Sequence, residues 1–404
     1  MLTDLWGAIL EAWSELRIHR TRVLLSLIGV AVAVAALTAV VALGQIAYQA
    51  QVESAERGSG RPAMLGIYAG QPNGEPIEGT ALAEAFDTAV DRYSIDFASR
   101  NGYFDGRVQF PMGVEQVGGQ TVDVDFGTMH RVELAEGEWF TDRDESRLAP
   151  AIIVNEAFWE RLGSPALASH PTVTILGDNS TIAVIIAVTP SSQFDTYPSM
   201  IMLYSAWERI ASPELVAQQQ PGYEMWVPPD MAEDLAPLIE RDMAGALGEG
   251  AMLDVQRQDY LAWPGFEEQT LILRLLIGGG SVLVLLLGAL SLVNISLVTV
   301  RQRIREIGIR RSFGATAGRV FFAVMMESIV GTIVAGLAGV TFAVIVVSNE
   351  WIRAQVAPSL QDVPGFPVEA AVLGMVCATA VGALSGLLPA LVAVRVKVID
   401  AIRY

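Results

Sequence analysis

The hydrophobic positions of this chain fall into four long runs, separated by stretches in which apolar and polar residues mix. Residues 23–44, 275–300 and 370–394 contain no charged side chain, and residues 320–347 contain one. A bilayer core about 30 Å thick is crossed by roughly 20 helical residues, so each run is long enough to span a membrane. The pattern predicts four transmembrane helices, at residues 23–44, 271–300, 320–347 and 370–394.

The segment between the first two runs, residues 45–270, has the pattern of a folded domain with both helices and strands. Helical spacing predicts helices at 81–93 and 230–247, and residues 151–163 fit a short strand followed by a helix. Two apolar strands around the Gly-Asp-Asn sequence at 177–179 predict a hairpin. Because these signals are mixed along the segment, they predict an α/β domain inserted between helices 1 and 2.

Helices are also predicted at the edges of the membrane region. Residues 1–22 form an amphipathic helix with Trp6 and Trp13 on its apolar face, which suits the membrane interface; a soluble helix packed on a partner is the alternative. Span 1 meets no helix breaker before Gly58, and span 2 is preceded by a helix that starts after Gly265. Both connections to the inserted domain are therefore predicted to be continuous helices, which can act as rigid levers.

Charge is segregated along the chain in a way that orients these spans. Residues 45–270 hold 35 acidic side chains and 12 arginines, a net charge of −23, while the remainder carries +5, together giving the −18 of the whole chain. Arginines cluster instead in 1–22, 301–319 and 395–404, which the positive-inside rule places in the cytoplasm. The predicted fold class is thus a membrane protein with four transmembrane α-helices and a large mixed α/β extracytoplasmic domain; the loop at 348–369 is also outside.

The sequence lacks the common signatures of an active site. It has no P-loop, its three histidines are scattered, and its single cysteine, Cys377, lies within span 4. Asp123 and Asp125 alternate on a predicted strand, where a solvated face is the commoner explanation than a metal site. We therefore expect a chain that is not an enzyme, binds no cofactor or metal itself and, given its short tethered basic loop, does not bind nucleic acid.

The arginine-rich loop between spans 2 and 3 reads as a short helix that ends in a turn. Ile304, Ile307 and Gly308 share one face, Glu306 and Arg310 form a favourable i,i+4 pair on another, and a glycine then ends the helix. An apolar ridge with a charged flank suits docking onto another protein. Control of membrane topology by positive charge alone is the alternative that these residues leave open.

Three sequence motifs in the membrane region resemble the FtsX/MacB-type (type VII) ABC transporter permeases. They are "RQRIREIGIRRSFGAT" at 301–316, "ESIVGTIVAGLAGV" from Glu327, and "GLLPALVAVRVKVIDAIRY" at the C-terminus. In the inserted segment, "EGEWFTDRDESRLAPAIIVNEAFWERLG" resembles the MacB-like periplasmic core domain. The tail departs from the family at Lys397, where many members carry a more basic run and a proline.

The resemblance implies a permease that works by mechanotransmission in a bacterial inner membrane. A separate cytoplasmic ATPase dimer would bind ATP and Mg²⁺ and press on the loop helix, and the spans would carry that movement to the outer domain. The implied ATPase-docking residues are Arg303, Ile304, Arg305, Glu306, Ile307, Gly308, Arg310, Arg311 and Gly314. Further implied partners are a second permease subunit, identical or not, and an extracytoplasmic adaptor, substrate-binding protein or hydrolase.

Two features of the spans are candidate functional positions. Small residues recur every fourth position on span 4, at Gly374, Ala378, Gly382 and Gly386, which permits close helix packing either with a second permease or within one subunit. Glu327 is the one charged residue inside the four apolar runs, and a structural hydrogen bond is favoured over ion transport.

The substrate stays open at this point. The large outer domain and the short 348–369 loop favour export or extraction of a peptide, lipid, lipoprotein or drug-like molecule. An FtsX-like regulator of a cell-wall hydrolase is the alternative, and a membrane-anchored sensor without an ATPase is disfavoured by the docking-type loop.

Overall fold

The structure, a computed structural model, describes residues 20–71, 79–177, 180–190, 197–248, 251–263, 265–302, 316–357, 360 and 365–395. The chain divides into two compact units. The outer unit is Val52–Glu267, and the membrane unit comprises the residues on either side of it, Met1–Gln51 and Glu268–Tyr404.

The described helices and strands alternate irregularly along the chain. The helices are α1 Arg20–Ser59, α2 Gly79–Tyr93, α3 Phe126–Met129, α4 Asp142–Glu145, α5 Glu156–Arg161, α6 Tyr204–Ile210, α7 Pro213–Gln218, α8 Ala232–Leu247, α9 Phe266–Gln302, α10 Ala317–Val347, α11 Glu350–Val356 and α12 Val368–Arg395. The strands are β1 Met64–Gly70, β2 Phe97–Phe110, β3 Gly113–Val122, β4 Glu136–Gly137, β5 Ala151–Asn155, β6 Thr172–Leu176, β7 Thr181–Thr189, β8 Ser199–Leu203, β9 Gly222–Trp226 and β10 Met252–Arg257.

Three helical segments of the described chain are long and apolar enough to cross a membrane. They are Ile28–Ser59, Ala317–Val347 and Val368–Val392. The span predicted at 271–300 lies within the 37-residue helix α9, whose described apolar segment, Leu275–Leu290, is shorter. Together with the α/β outer unit, these helices confirm the predicted fold class.

Glycine occupies three consecutive positions within α9. Gly278, Gly279 and Gly280 are exposed, and a Cβ built on any of them would meet no other atom within 4 Å. Within the described residues, packing against a neighbouring helix therefore does not explain why these positions are glycine.

The outer unit is organised around a ten-stranded sheet in which the long strand β2 serves two halves. The first residues of β2 pair with β9, which continues the antiparallel order β10-β1-β9-β2. The rest of β2 pairs with β3, and the order β2-β3-β8-β5-β7-β6 returns to β2 through the pairing of β6 with residues 107–109. These six strands therefore form a closed ring.

Each half of the outer unit has its own hydrophobic core. One lies between helices α2 and α8 and the strands β1, β9 and β10, and includes Phe86, Met225 and Ile239. The other is formed by strands of the ring and the helices that pack on them, and includes Phe110 and Phe158, whose rings are 4.8 Å apart. The predicted helices α2 and α8, the strand–helix pair β5–α5 and the hairpin β6–β7 are all confirmed.

Candidate coupling site

The predicted ATPase-docking helix lies outside the described residues. Helix α9 ends at Gln302 and α10 begins at Ala317, where the Thr316 hydroxyl accepts a hydrogen bond from the backbone N–H of Arg319 at 3.4 Å. The undescribed segment contains every predicted docking residue, Arg303, Ile304, Arg305, Glu306, Ile307, Gly308, Arg310, Arg311 and Gly314. Docking therefore stays a prediction.

The small residues predicted on span 4 lie against the chain's own helices. A Cβ on Gly374 would overlap the Thr38 side chain of α1, and a Cβ on Gly382 would overlap Thr332 of α10. Both threonines are fully buried, so neither contact has room to spare.

The same close approach continues at the other two positions of the stripe. A Cβ on Gly386 would lie 2.8 Å from the Cβ of Ser328, and Ala378 is fully buried opposite Gly336. The structure thus uses all four positions to bring helices of one chain together. Glu327 of α10 is half-buried, and its role stays a prediction.

In the outer unit, the end of α1 carries two buried carboxylates that face one arginine. Glu53 and Glu56 are only 1% and 7% exposed. The Arg131 guanidinium lies 3.4 Å from the Glu53 carboxylate and 2.9 Å from that of Glu56. Since acidic side chains are rarely buried unless they are paired, the pairing with Arg131 is one reason that these two carboxylates can be buried at the end of α1.

A second ion pair of opposite polarity joins the same two segments. Arg57 of α1 donates to Glu133 at 3.0 Å. The ring of His130, the residue before Arg131, is stacked on Phe126, with the ring centroids 4.1 Å apart. We call the six charged or ionisable residues at this junction the base cluster: Glu53, Glu56, Arg57, His130, Arg131 and Glu133.

His130 connects the base cluster to the sheet. Its Nε2 lies 2.6 Å from the Glu224 carboxylate on β9, and both side chains are buried. Burial alone would raise the pKa of Glu224. The hydrogen bond and charge of His130, with hydrogen bonds from Asn101 and Gln258, outweigh that effect and lower the pKa below its ordinary value.

The two ends of the outer unit are held together by one buried carboxylate. Asp259 is fully buried and accepts a hydrogen bond from the backbone N–H of Ala63, 3.0 Å away, just after α1. It also pairs with Arg257 and accepts from the N–H of Leu261. Asp259 therefore fixes the chain that enters the domain to the chain that leaves it.

The interpretation of Asp123 and Asp125 as a solvated strand face was wrong. Strand β3 ends at Val122, and both aspartates are half-buried in the loop that follows. The Asp123 carboxylate makes a two-pronged ion pair with Arg100, at 2.8 Å for each nitrogen, and Asp125 accepts from the N–H of Ala98. Hydrogen bonding to β2, not exposure, explains these aspartates.

A groove of about 600 Å³ lies over strands β2, β3 and β8. The groove is open at Gly118, where an added Cβ would meet no atom within 4 Å. Tyr103 and Gln120 line it nearby. Asp105 is the one charged side chain among the described residues that line it. Among the described residues, no group of three or more His, Cys, Asp or Glu could hold a metal ion.

Sequence reasoning missed the base cluster. Its only signal was a pair of acids three residues apart near the end of a helix, followed directly by Arg57. That pattern is typical of an exposed helix end, and the partners at 130–133 are more than 70 residues away in sequence.

Two protein families match this chain. The MacB-like periplasmic core domain matches residues 23–234, more than half of the chain, and the FtsX-like permease C-terminal region matches residues 278–398. The chain belongs to the family of FtsX/MacB-type ABC transporter permeases, which confirms the resemblance seen in the motifs.

Individual relatives match nearly the whole chain at low identity. The pyoverdine export ATP-binding/permease protein PvdT of Pseudomonas fluorescens is 27% identical over 411 residues, which cover 99% of this chain and 59% of PvdT. The uncharacterized ABC transporter permease YvrN of Bacillus subtilis is 26% identical over 416 residues, covering 96% of each chain. The chain thus spans about three fifths of PvdT and nearly all of YvrN.

Among solved structures, the chain is similar to the periplasmic region of MacB from Actinobacillus actinomycetemcomitans. The two are 13% identical with a TM-score of 0.38, and the match covers 54% of this chain and 95% of the other.

Proposed function

We propose that this chain is the membrane subunit of an ABC exporter in a bacterial inner membrane, driven by an ATPase that lies outside residues 1–404. The ATPase supplies the nucleotide site with its Mg²⁺. The loop at 301–316 binds this ATPase in the cytoplasm. The observation that carries the proposal is the match to both families, together with the arginine-rich sequence motif between spans 2 and 3.

The helices that join the two units suit transmission of movement. Helix α1 is continuous over Arg20–Ser59, and α9 is continuous over Phe266–Gln302, so each runs without a break through the boundary between the units. Movement of the spans, caused by the ATPase, would reach the outer unit through these helices. Two such chains would work with two ATPase subunits in each cycle.

Export is favoured over regulation of a cell-wall hydrolase because of the named relatives. PvdT is named as an export protein with an ATP-binding part, and the part of PvdT that this chain does not match is consistent with a nucleotide site outside residues 1–404. The substrate class that we propose is a peptide, lipid, lipoprotein or drug-like molecule delivered outside the cytoplasm, with an extracytoplasmic adaptor as a further partner.

The test of this proposal is a substitution on the apolar ridge of the docking helix. Gly308→Trp adds bulk without removing any arginine, so membrane insertion should be unaffected while the ATPase is kept at a distance. We expect recovery of the co-purified ATPase to fall about tenfold, which is a loss of about 1.4 kcal/mol of binding free energy. Binding of the ATPase is measured by its co-purification with the permease from membranes, and coupling is measured by ATP hydrolysis of the complex.

Gly318→Trp is the matched control. It places the same side chain ten residues further on, at an exposed position where a Cβ meets no atom within 4 Å. The control should keep its ATPase. If Gly308→Trp also keeps its ATPase and supports normal hydrolysis, the loop is only a topological anchor and the docking proposal fails.

A further inference from the structure

The end of α1 and the segment 130–133 present charges in opposite order. On α1, two acids precede a base; on the facing segment, the base Arg131 precedes the acid Glu133. Arg131 contacts Glu53 and Glu56, and Glu133 contacts Arg57. All of these residues belong to the outer unit, so the arrangement is internal to one compact body.

This order of charges specifies one register between the two segments. If α1 slid by one turn, Arg57 would take the place of Glu53 and would face Arg131, because positions four residues apart lie one above the other on a helix. Like charges would then meet in a buried environment, where they are screened far less than in water. The helix cannot move along this surface without either breaking the pairs or moving the segment with it.

The segment itself is held firmly. Arg131 adopts a left-handed backbone conformation with φ of 46°, which is uncommon for a non-glycine residue and persists only where the surroundings enforce it. The backbone N–H of Arg61 donates to the carbonyl of Met129 at 3.0 Å, and its side chain donates to the carbonyl of Thr128 at 2.7 Å. The segment is thus contacted by α1, and the two residues that precede it are held by Arg61, just after α1.

The far side of the segment contacts the central sheet. His130 binds Glu224 on β9, and β9 pairs with both β1 and β2. Strand β2 continues into the strand ring. An unbroken series of charge pairs and sheet hydrogen bonds therefore leads from the end of α1 to both halves of the outer unit.

We propose that the base cluster is a register clamp through which α1 moves the outer unit, and that Arg131 is its central positioning residue. This inference rests on the proposed function, since it needs an ATP-driven movement of α1 to transmit. Other contacts keep the domain folded, while the clamp determines whether displacement of the helix becomes displacement of the sheet.

The experiment compares hydrogen–deuterium exchange of the complete permease–ATPase complex with and without ATP and vanadate. In the wild-type complex we expect nucleotide to change exchange in the membrane helices and in β2 and β9. In Arg131→Met the change in the membrane helices should persist. The change in β2 and β9 should fall about fivefold or more, the lower end of typical coupling between sites.

Three further variants separate transmission from simple folding. The combination Glu53→Gln, Glu56→Gln and Arg131→Met removes both members of each Arg131 ion pair together, so neither glutamate is left charged opposite an uncharged residue 131. It should uncouple in the same way even if Arg131→Met alone folds poorly. Arg131→Lys keeps one charge without the two-pronged guanidinium and should be partly coupled. Arg143→Met, at an exposed position, should behave as wild type.

The outcomes are distinct. If the neutral triple variant folds and still shows the full nucleotide response in β2 and β9, the clamp is overturned while the proposed function stands. If the wild-type complex shows no nucleotide response in any helix, the proposed function fails, and the clamp fails with it because there is no movement to transmit.

Discussion

Each of the two units of this molecule is stabilised internally by a different kind of contact. In the membrane unit, the closest contacts involve glycine and small hydroxyl side chains, such as Gly339 against the backbone of Ala31 and Gly386 against Ser328. In the outer unit, large side chains such as Phe110 and Phe158 fill two cores, and charged side chains are paired where they are buried.

The difference follows from the solvent of each unit. Lipid tails are as apolar as the side chains of the spans, so helices in a membrane associate mainly through close steric fit. In water, burial of apolar area contributes about 25 cal/mol per Å², and large side chains contribute most. A substitution should therefore be most damaging through size in the membrane unit and through loss of a charge partner in the outer unit.

The largest loss of stability is expected when a buried glycine of the membrane unit is replaced by a large residue. Gly382→Leu would drive a side chain into Thr332 and towards the Cα of Ile329, which lies 3.2 Å from the position of the first added carbon. Overpacking typically costs about 1–3 kcal/mol, and here backbone stands in the way, so we expect at least the upper value. Fluorescence-detected size-exclusion chromatography after heating measures the loss of folded protein.

Ala380→Leu is the control for that substitution, because Ala380 is exposed on the same helix. It should unfold at the temperature of the wild type. Equal stability of the Gly382 and Ala380 variants would show that steric fit does not limit the packing of α12.

The next largest loss of stability is expected when one partner of a buried ion pair in the outer unit is removed. Asp259→Ala removes the acceptor for Arg257 and for the backbone N–H groups of Ala63 and Leu261. Removing one partner of a buried ion pair costs about 3–5 kcal/mol; since Arg257 is partly exposed, we expect the lower end. Asp254→Ala, at an exposed position of the preceding strand β10, should change the thermal unfolding temperature little.

The smallest effect is expected on the pH dependence of stability, through the carboxylate of Glu224. Its pKa is lowered in the folded protein, so the ionised carboxylate stabilises the fold above the ordinary value of 4.5, and this contribution is lost as pH falls through the lowered value. Glu224→Gln should therefore flatten the fall in stability below about pH 4.5. The measurement is unfolding of the full chain in detergent across pH 3–7. If the stability of the wild type and of Glu224→Gln changed equally with pH, the prediction would be wrong.

Local pattern was enough to predict the elements that local interactions determine. The uncharged run at 23–44 predicts a span, helical spacing at 81–93 predicts α2, and the turn after Leu176 predicts the hairpin β6–β7. In each, the residues that specify the element are close neighbours in the chain.

Contacts between distant segments could not be read in this way. The pairing of Val108 with Ile175 closes the strand ring, yet the alternation of β2 suits any partner strand equally. Likewise, Glu53 and Glu56 have the spacing of solvated acids, and only the fold brings Arg131 to them. The stripe on α12 was recognised as a packing surface, but the helices that cover it were not identified by spacing.

The glycine triplet of α9 gives that helix an uneven stiffness. Successive residues point about 100° apart around a helix, so a single neighbour cannot need all three of Gly278, Gly279 and Gly280 to be small. What they share is a weak preference for the helix: each glycine makes the helical state about 1 kcal/mol less stable than alanine would. We therefore expect any bending of α9 to be concentrated in this turn, where the segments on either side can change their mutual angle without breaking a side-chain contact at the triplet.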